Sequence, residues 1–310
     1  MIHEYAVEPE LVATWGNLQD FRFFVRSFGV GQPRVVSEFP VVANWRRLVM
    51  HAARELEGLA LTRVAELVRA LSEKMIPRPG HSYNNGREWL INAEVEHNRL
   101  AFYAILARAN PRNHSVVLKP DDIGPANERW DVPRSKAPLR QAQDMCDCIQ
   151  PMLANCTEVV FVDPYFRANQ MAKRRPLERF LQVIASNRRA NPIRIEVHVS
   201  ASHEQAPETR FFKDECHRFL LPIIPPGLTV VVKRWRSRVG GAALHNRYVL
   251  TNIGGVSFGH GLDEGEPSET DDVQVLERQH YEKRWAEYAG PAPDFDVTEP
   301  PVTLQGRARR

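Results

Sequence analysis

Residues 158–166, Glu-Val-Val-Phe-Val-Asp-Pro-Tyr-Phe, join an apolar run of β-branched and aromatic side chains to an Asp-Pro stop. So short a run with a breaker behind it predicts a buried strand rather than a helix. A helical pattern precedes it from about Leu139 to Leu153, and another follows from Pro176 to Asn187. The alternation continues with a strand from Arg194 to Val199, a helix from Glu208 to Leu221, the turn Pro225-Pro-Gly227 and a strand from Leu228 to Trp235. Behind Gly240 and Gly241, His245 to Thr251 and Val256 to Phe258 add two further β-like runs. Strands alternating with helices of this length predict an α/β domain, a sheet covered by helices on both faces.

Toward the N-terminus the rhythm is helical. Helices are expected around Asp20 to Phe28, from about Trp45 to Lys74 and from Arg87 to Arg108. In the second, Leu48, Ala52, Leu56, Leu59, Val64, Leu67, Val68 and Leu71 recur at helical spacing and predict its core-facing stripe. Ile76 to Gly86, with two prolines and two glycines, separates two of these helices, and Asn110-Pro111 ends the third. Pro111 to Pro138 is rich in Pro, Asn and Asp, with one short apolar run from Ser115 to Leu118. The expected organisation is a mainly helical N-terminal region over 1–120, a linker over 121–138, the α/β domain over 139–290 and a C-terminal tail over 291–310. The last residues, Gly306 to Arg310, read as disordered.

Of the 310 residues 43% are hydrophobic and 25% charged, ordinary globular values that exclude disordered, collagen-like and coiled-coil readings of the whole chain. No apolar run approaches the roughly 18 residues of a membrane span. Met1 to Glu10 lacks the basic and apolar regions of a signal peptide, so a soluble cytoplasmic protein without a transmembrane segment is expected. The net charge of +3 is too small to argue for nucleic acid. Its distribution is more informative: sixteen Lys and Arg face six acids between Arg167 and Tyr248, and twelve acids face three bases between Leu262 and Glu299. Either the basic window meets a polyanion or the two windows screen each other. Cys146, Cys148, Cys156 and Cys216 lack the paired hooks of a zinc site, so reduced thiols, no metal and no cofactor are expected.

The segment Leu244-His-Asn-Arg-Tyr-Val-Leu-Thr-Asn-Ile-Gly-Gly-Val-Ser-Phe-Gly-His-Gly-Leu-Asp263 is the most specific in the chain. In a strand, His245 and Arg247 stand two residues apart and face the same side, so imidazole and guanidinium converge on one anion. Asn252 follows five residues beyond Arg247. This resembles the phospholipase D superfamily signature, in which His-x-Lys is followed four residues later by Asp and then by small residues. Arg247 stands at the lysine position and Asn252 at the aspartate position. With Val159 to Phe166 and Phe258 to Asp263, the similarity covers about Leu139 to Tyr288. The His-x-Arg variant is also similar to the phospholipase D-like domain at the C-terminus of MIT-domain proteins and to bacterial proteins suspected of anti-phage roles.

The resemblance implies a phospholipase D-like mixed sheet and a metal-independent phosphodiesterase, with a defence effector as its setting; the basic window and the missing membrane segment make a nuclease the preferred reading. It makes His245 the nucleophile and Arg247 the phosphate clamp, a role open to Arg because its planar fork binds phosphate bidentately. Asn252 would hold the loop, and Asp263, with Glu264 or Glu269 behind it, would fix the tautomer of His245. One motif per chain implies a homodimer that pairs two His245 side chains across a two-fold axis. The alternative is a degenerate module that binds nucleic acid, an anionic membrane or a partner protein of a defence system without turnover.

Further candidates surround the motif. Asp163 and Tyr165 follow the first strand, where α/β sheets open their ligand crevices, and would line the site, Tyr165 by stacking on a base or bonding a phosphate. The plainer reading is an Asp-Pro strand stop with core aromatics. Lys233, Arg234 and Arg236, with Trp235 among them, suit a phosphodiester backbone and one stacked base, or else protect an edge strand. His260, between Gly259 and Gly261, sits on a loop able to reach the same crevice, whereas His198 reads as a buried histidine. Lys173-Arg-Arg175 is a second candidate phosphate contact or a solvated loop.

Overall fold

The computed structural model describes residues 1–73, 75–186, 194–202, 206–241, 243–291 and 293–308. The chain forms two compact units that divide after Pro133, inside the 121–138 stretch.

In the first unit β1 (His3–Val7) leads through α1 (Pro9–Ala13) and α2 (Leu18–Phe24) to β2 (Arg34–Val36). Then α3 (Val42–Ala52), α4 (Gly58–Ser72) and α5 (Trp89–Arg99) precede β3 (Ala104–Leu106) and β4 (Val117–Leu118). The strands are parallel in the order β2-β1-β3-β4, so the helices that dominate 1–120 accompany a small parallel sheet that the sequence did not announce. The reason lies in length and polarity. Three-residue strands such as β3 disappear inside a helix-like pattern, and β1 carries a charge, Glu4, that is 4% exposed. Glu4 is tolerated because the buried Arg78 guanidinium meets its Oε1 at 2.7 Å and Glu96 Oε1 at 2.9 Å. Val64, Leu67, Val68 and Leu71 form the buried stripe of α4, while Leu59 of the expected stripe is 70% exposed.

The second unit contains β5 (Ser135–Lys136), α6 (Ala142–Asn155), β6 (Glu158–Val162), α7 (Met171–Ser186), β7 (Arg194–Ser200), α8 (Thr209–Glu215) and β8 (Thr229–Ser237). It continues with β9 (Arg247–Thr251), β10 (Gly254–Phe258), β11 (Val273–Val275), α9 (Arg278–Ala289), β12 (Phe295–Val297) and β13 (Val302–Gln305). Among the described residues these strands make one mixed sheet, β12-β8-β7-β6-β9-β10-β11-β5, with β13 also on β8. β6, β7 and β8 are parallel and their outer neighbours antiparallel. Each strand expected between 158 and 258 is present. The tail expected over 291–310 is corrected, because β12 and β13 pair with β8 and remove it from the sheet edge. In β13 buried Val302 and Leu304 alternate with exposed Thr303 and Gln305, the period of a half-buried strand.

Helix α7 starts five residues before Pro176, and Asn187, the expected end, lies outside the described residues. Proline has no N–H for the carbonyl four residues back. That carbonyl, on Ala172, accepts the Glu264 N–H at 2.9 Å and ties the start of α7 to the loop after β10. In β10, a Cβ on Gly255 would lie 2.8 Å from Leu250 Cδ2 and 3.1 Å from Tyr281 Cδ2. Gly255→Ala is therefore expected to cost about 1–3 kcal/mol by overpacking, seen as a lower denaturant midpoint at unchanged slope.

Candidate active site

The parallel strands β6, β7 and β8 end where antiparallel β9 begins, the side of an α/β sheet that receives ligands. Val162 pairs with both His198 and Tyr248, which fixes the faces. Phe161, stacked on Phe180 of α7 at 5.7 Å, shares its face with Val249 and hence with Arg247 two residues earlier.

At this sheet end Tyr165 Oη lies 3.1 Å from His245 Nδ1. The Arg247 guanidinium lies 4.8 Å from the Tyr165 ring centroid. Lys173, in the first turn of α7, donates to the Tyr165 carbonyl, and its ammonium is 6.0 Å from the same ring. Asp163 is 3% exposed, and its Oδ1 accepts the Tyr165 N–H at 3.0 Å, so the strand-ending Asp also shapes the turn that presents the phenol. Burial pushes the Asp163 carboxyl above its ordinary value, against the pull of Lys173 and Arg247. His245 is exposed, and Arg247 is partly buried with an Nε that makes no hydrogen bond. Among the described residues no carboxylate pairs with Arg247. An open imidazole, an unpaired guanidinium and an ammonium thus gather round one phenol, a setting for an anion with a nucleophile beside it.

Two residues assigned to the site by sequence have other work. Asp263 Oδ1 accepts from Arg140 at 2.9 Å, and Arg140 also holds Glu269 at 2.7 Å. Glu264 pairs with Arg175 at 3.2 Å and accepts the N–H of Ala142 at the start of α6. Tyr165, not one of these acids, bonds His245. Asn252 lies at the far end of β9, roughly 16 Å of extended chain from Arg247. Its Oδ1 accepts the N–H groups of Thr157 and Glu158 at 2.8 and 3.2 Å, so it anchors the entry of β6 rather than the site.

The basic strand is also spent internally. Lys233 donates to both Glu196 oxygens at 2.9 Å, and buried Arg234 pairs with Glu299 at 2.9 Å and bonds the Pro207 carbonyl. Arg236 stays exposed, opposite Asp296 in register. Pairs such as Arg175–Glu264, Arg234–Glu299 and Arg238–Asp296 join the basic window to the acidic one, which favours mutual screening over a polyanion track. Arg140 and the proximity of Lys173 to Tyr165 were not legible beforehand; Arg140 is 123 residues from Asp263, and no spacing rule connects them.

His198 is fully buried, with Nε2 2.6 Å from Glu196 Oε2. Burial alone would raise the Glu196 carboxyl, but hydrogen bonds from His198, Arg194 and Lys233 outweigh it and hold the group well below the carboxylate range. A depressed folded value gives stability that is present above the ordinary Glu range and lost as the pH falls. The thermal midpoint of the wild type is therefore expected to drop more steeply than that of Glu196→Gln between about pH 5 and about pH 3.

The four cysteines are free and buried, and burial pushes Cys146 up to about 11 and Cys156 up to about 12. A groove of about 280 Å³, lined by Asn246, Arg247, Tyr248, Ser257, Gly259 and His280 among others, opens beside the site. A second groove of about 440 Å³ shares Ser257, Gln274 and His280 with it and reaches Arg134. Among the described residues no helix is long and apolar enough to cross a membrane, and no group of three or more His, Cys, Asp or Glu side chains is placed to hold a metal ion. No family model and no curated protein matches the chain.

Proposed function

We propose that the second unit is a phospholipase D-like phosphodiesterase, a nuclease by preference, in which His245 attacks phosphorus and Arg247 clamps the phosphate. The observation that carries this reading is the His245–Tyr165–Arg247 cluster, an exposed imidazole bonded through Nδ1 with an unpaired guanidinium on the same phenol. In exposed His245, the tautomer whose Nδ1–H donates to Tyr165 leaves the lone pair on Nε2. Attack by Nε2 gives a phosphohistidine and expels an alcohol; water then frees the phosphomonoester. Arg247 and Lys173 supply positive charge where the equatorial oxygens gain negative charge. The groove beside Arg247 gives a polymer room to extend, which favours nucleic acid over a headgroup. An anti-phage effector is the setting that the resemblance suggests.

A second reading, a phosphate-binding module without turnover, is favoured by one specific observation: the acids Asp263, Glu264 and Glu269 are taken up by Arg140 and Arg175, which leaves the imidazolium of His245 without a carboxylate. Labelled single- and double-stranded DNA and RNA incubated in EDTA separate the two. Cleavage lost in His245→Ala supports the enzyme, and retained binding without cleavage supports the module.

A further inference from the structure

We propose that His260, oriented by buried Asp271, is the acid that protonates the leaving oxygen, so that one chain holds both histidines of the reaction; this rests on the phosphodiesterase reading. The register brings the residues together. β9 and β10 are antiparallel, with Val256 opposite Val249 and Phe258 opposite Arg247. The ladder ends at that pair, and His245 and His260 each lie two residues beyond it, on the segments that leave the sheet at the same end. The residue after His260 reaches the phosphate clamp: a Cβ on Gly261 would lie 3.9 Å from Arg247 Nε and 2.9 Å from Asp263 Oδ1.

The environment of His260 suits proton transfer. Its side chain is 64% exposed, yet it rests on a carboxylate that is 1% exposed. Asp271 Oδ1 accepts the His260 main-chain N–H at 2.9 Å and faces ring Nδ1 at 3.4 Å. Asp271 is anchored by its own N–H on the Pro138 carbonyl. A Cβ on Gly259 would approach Asp271 Oδ1 to 3.0 Å, so the glycine lets the loop close over the acid. Asp271 Oδ2 is buried and makes no hydrogen bond among the described residues. A buried carboxylate left half-satisfied is costly unless a neighbouring group balances it, and the His260 ring is the group that Asp271 faces. Holding Nδ1 on Asp271 directs Nε2 toward solvent, where it can give and take a proton.

In the first step the Nε2 lone pair of His245 forms the N–P bond, the P–O bond to the leaving group breaks, and the departing oxygen takes the Nε2 proton of His260. In the second, neutral His260 removes a proton from water, the water oxygen bonds to phosphorus, and the N–P electron pair returns to His245. The sum is hydrolysis of a phosphodiester to a phosphomonoester and an alcohol, with both histidines restored.

The test compares an oligonucleotide, whose alkoxide needs a proton, with bis(p-nitrophenyl) phosphate, whose leaving group does not. His260→Ala is expected to slow oligonucleotide cleavage by about 10²-fold or more. It should preserve the first-turnover burst of p-nitrophenolate while the steady state after the burst slows, because water has lost its base. Asp271→Asn should show the same pattern with a smaller loss, and the rate per chain should not depend on protein concentration. Oligonucleotide cleavage in exposed-site His260→Ala within threefold of wild type, or loss of the burst, overturns the proposal. A rate per chain that rises with concentration also overturns it, in favour of paired chains. A wild type that turns over neither substrate overturns the phosphodiesterase reading, and this proposal with it.

Discussion

His245→Ala is expected to abolish chelator-resistant cleavage, by about 10³-fold or more, because it removes the nitrogen that bonds to phosphorus in the proposed reaction. The neighbours grade the effect. Arg247→Ala removes the clamp and should cost about 10²- to 10³-fold, the scale of losing one transition-state donor. Arg247→Lys should recover only part, since an ammonium is a point charge without the planar fork. Tyr165→Phe keeps the ring beneath Arg247 but removes the oxygen on His245 Nδ1, so it should lower turnover while phosphate affinity stays. Asn252→Ala discriminates most sharply between motif and geometry. Read as a motif letter it should impair catalysis; placed on Thr157 and Glu158 it should lower stability and leave the rate per folded chain intact. Gel-resolved cleavage rates in EDTA, normalised to folded protein, check the whole series.

Arg78→Met is expected to be the most damaging single change to the first unit, costing about 3–5 kcal/mol. Arg78 is buried, joined to Glu4 at 2.7 Å and Glu96 at 2.9 Å, bonded to the Leu100 carbonyl and stacked 3.8 Å from the Phe102 ring centroid. Methionine fills much of the volume but takes a buried guanidinium from two carboxylates, and Ser37, which donates to Glu4 at 2.7 Å, cannot replace a charge. Arg99 remains on Glu96, so Glu4 bears the larger share of the loss. Adding Glu4→Gln to Arg78→Met should restore part of the stability, because it removes a buried carboxylate that has lost its guanidinium. Urea unfolding followed through the buried Trp45 and Trp89 measures both; a loss below about 1 kcal/mol for Arg78→Met would show that the pair contributes little.

The sheet of the second unit was legible because its strands are apolar runs ended by breakers, as in Val159 to Asp163. Strands of the first unit were hidden by shortness: Ala104–Leu106 sits in a stretch whose apolar spacing also fits a helix. Pro176 misled in a specific way. Proline commonly opens helices, but here a backbone N–H from Glu264 takes the carbonyl it leaves free, so α7 begins a turn and a half earlier and carries Lys173 to the site. The alternation Val302, Thr303, Leu304, Gln305 was a readable strand signal masked by Pro300 and Pro301 before it. Within the candidate site, His245 and Arg247 followed from two-residue spacing, and Asp163 and Tyr165 from the strand end. The partners of Asp263 and of Lys233 did not, since both are set by long-range packing.

The most direct test of the central claim is to trap the covalent intermediate. Wild-type protein mixed with an excess of bis(p-nitrophenyl) phosphate, quenched within the first turnover at alkaline pH and digested, should yield one acid-labile phosphoryl adduct on the peptide that contains His245, absent from His245→Ala. Turnover with no adduct, or an adduct on any other residue, would contradict the account.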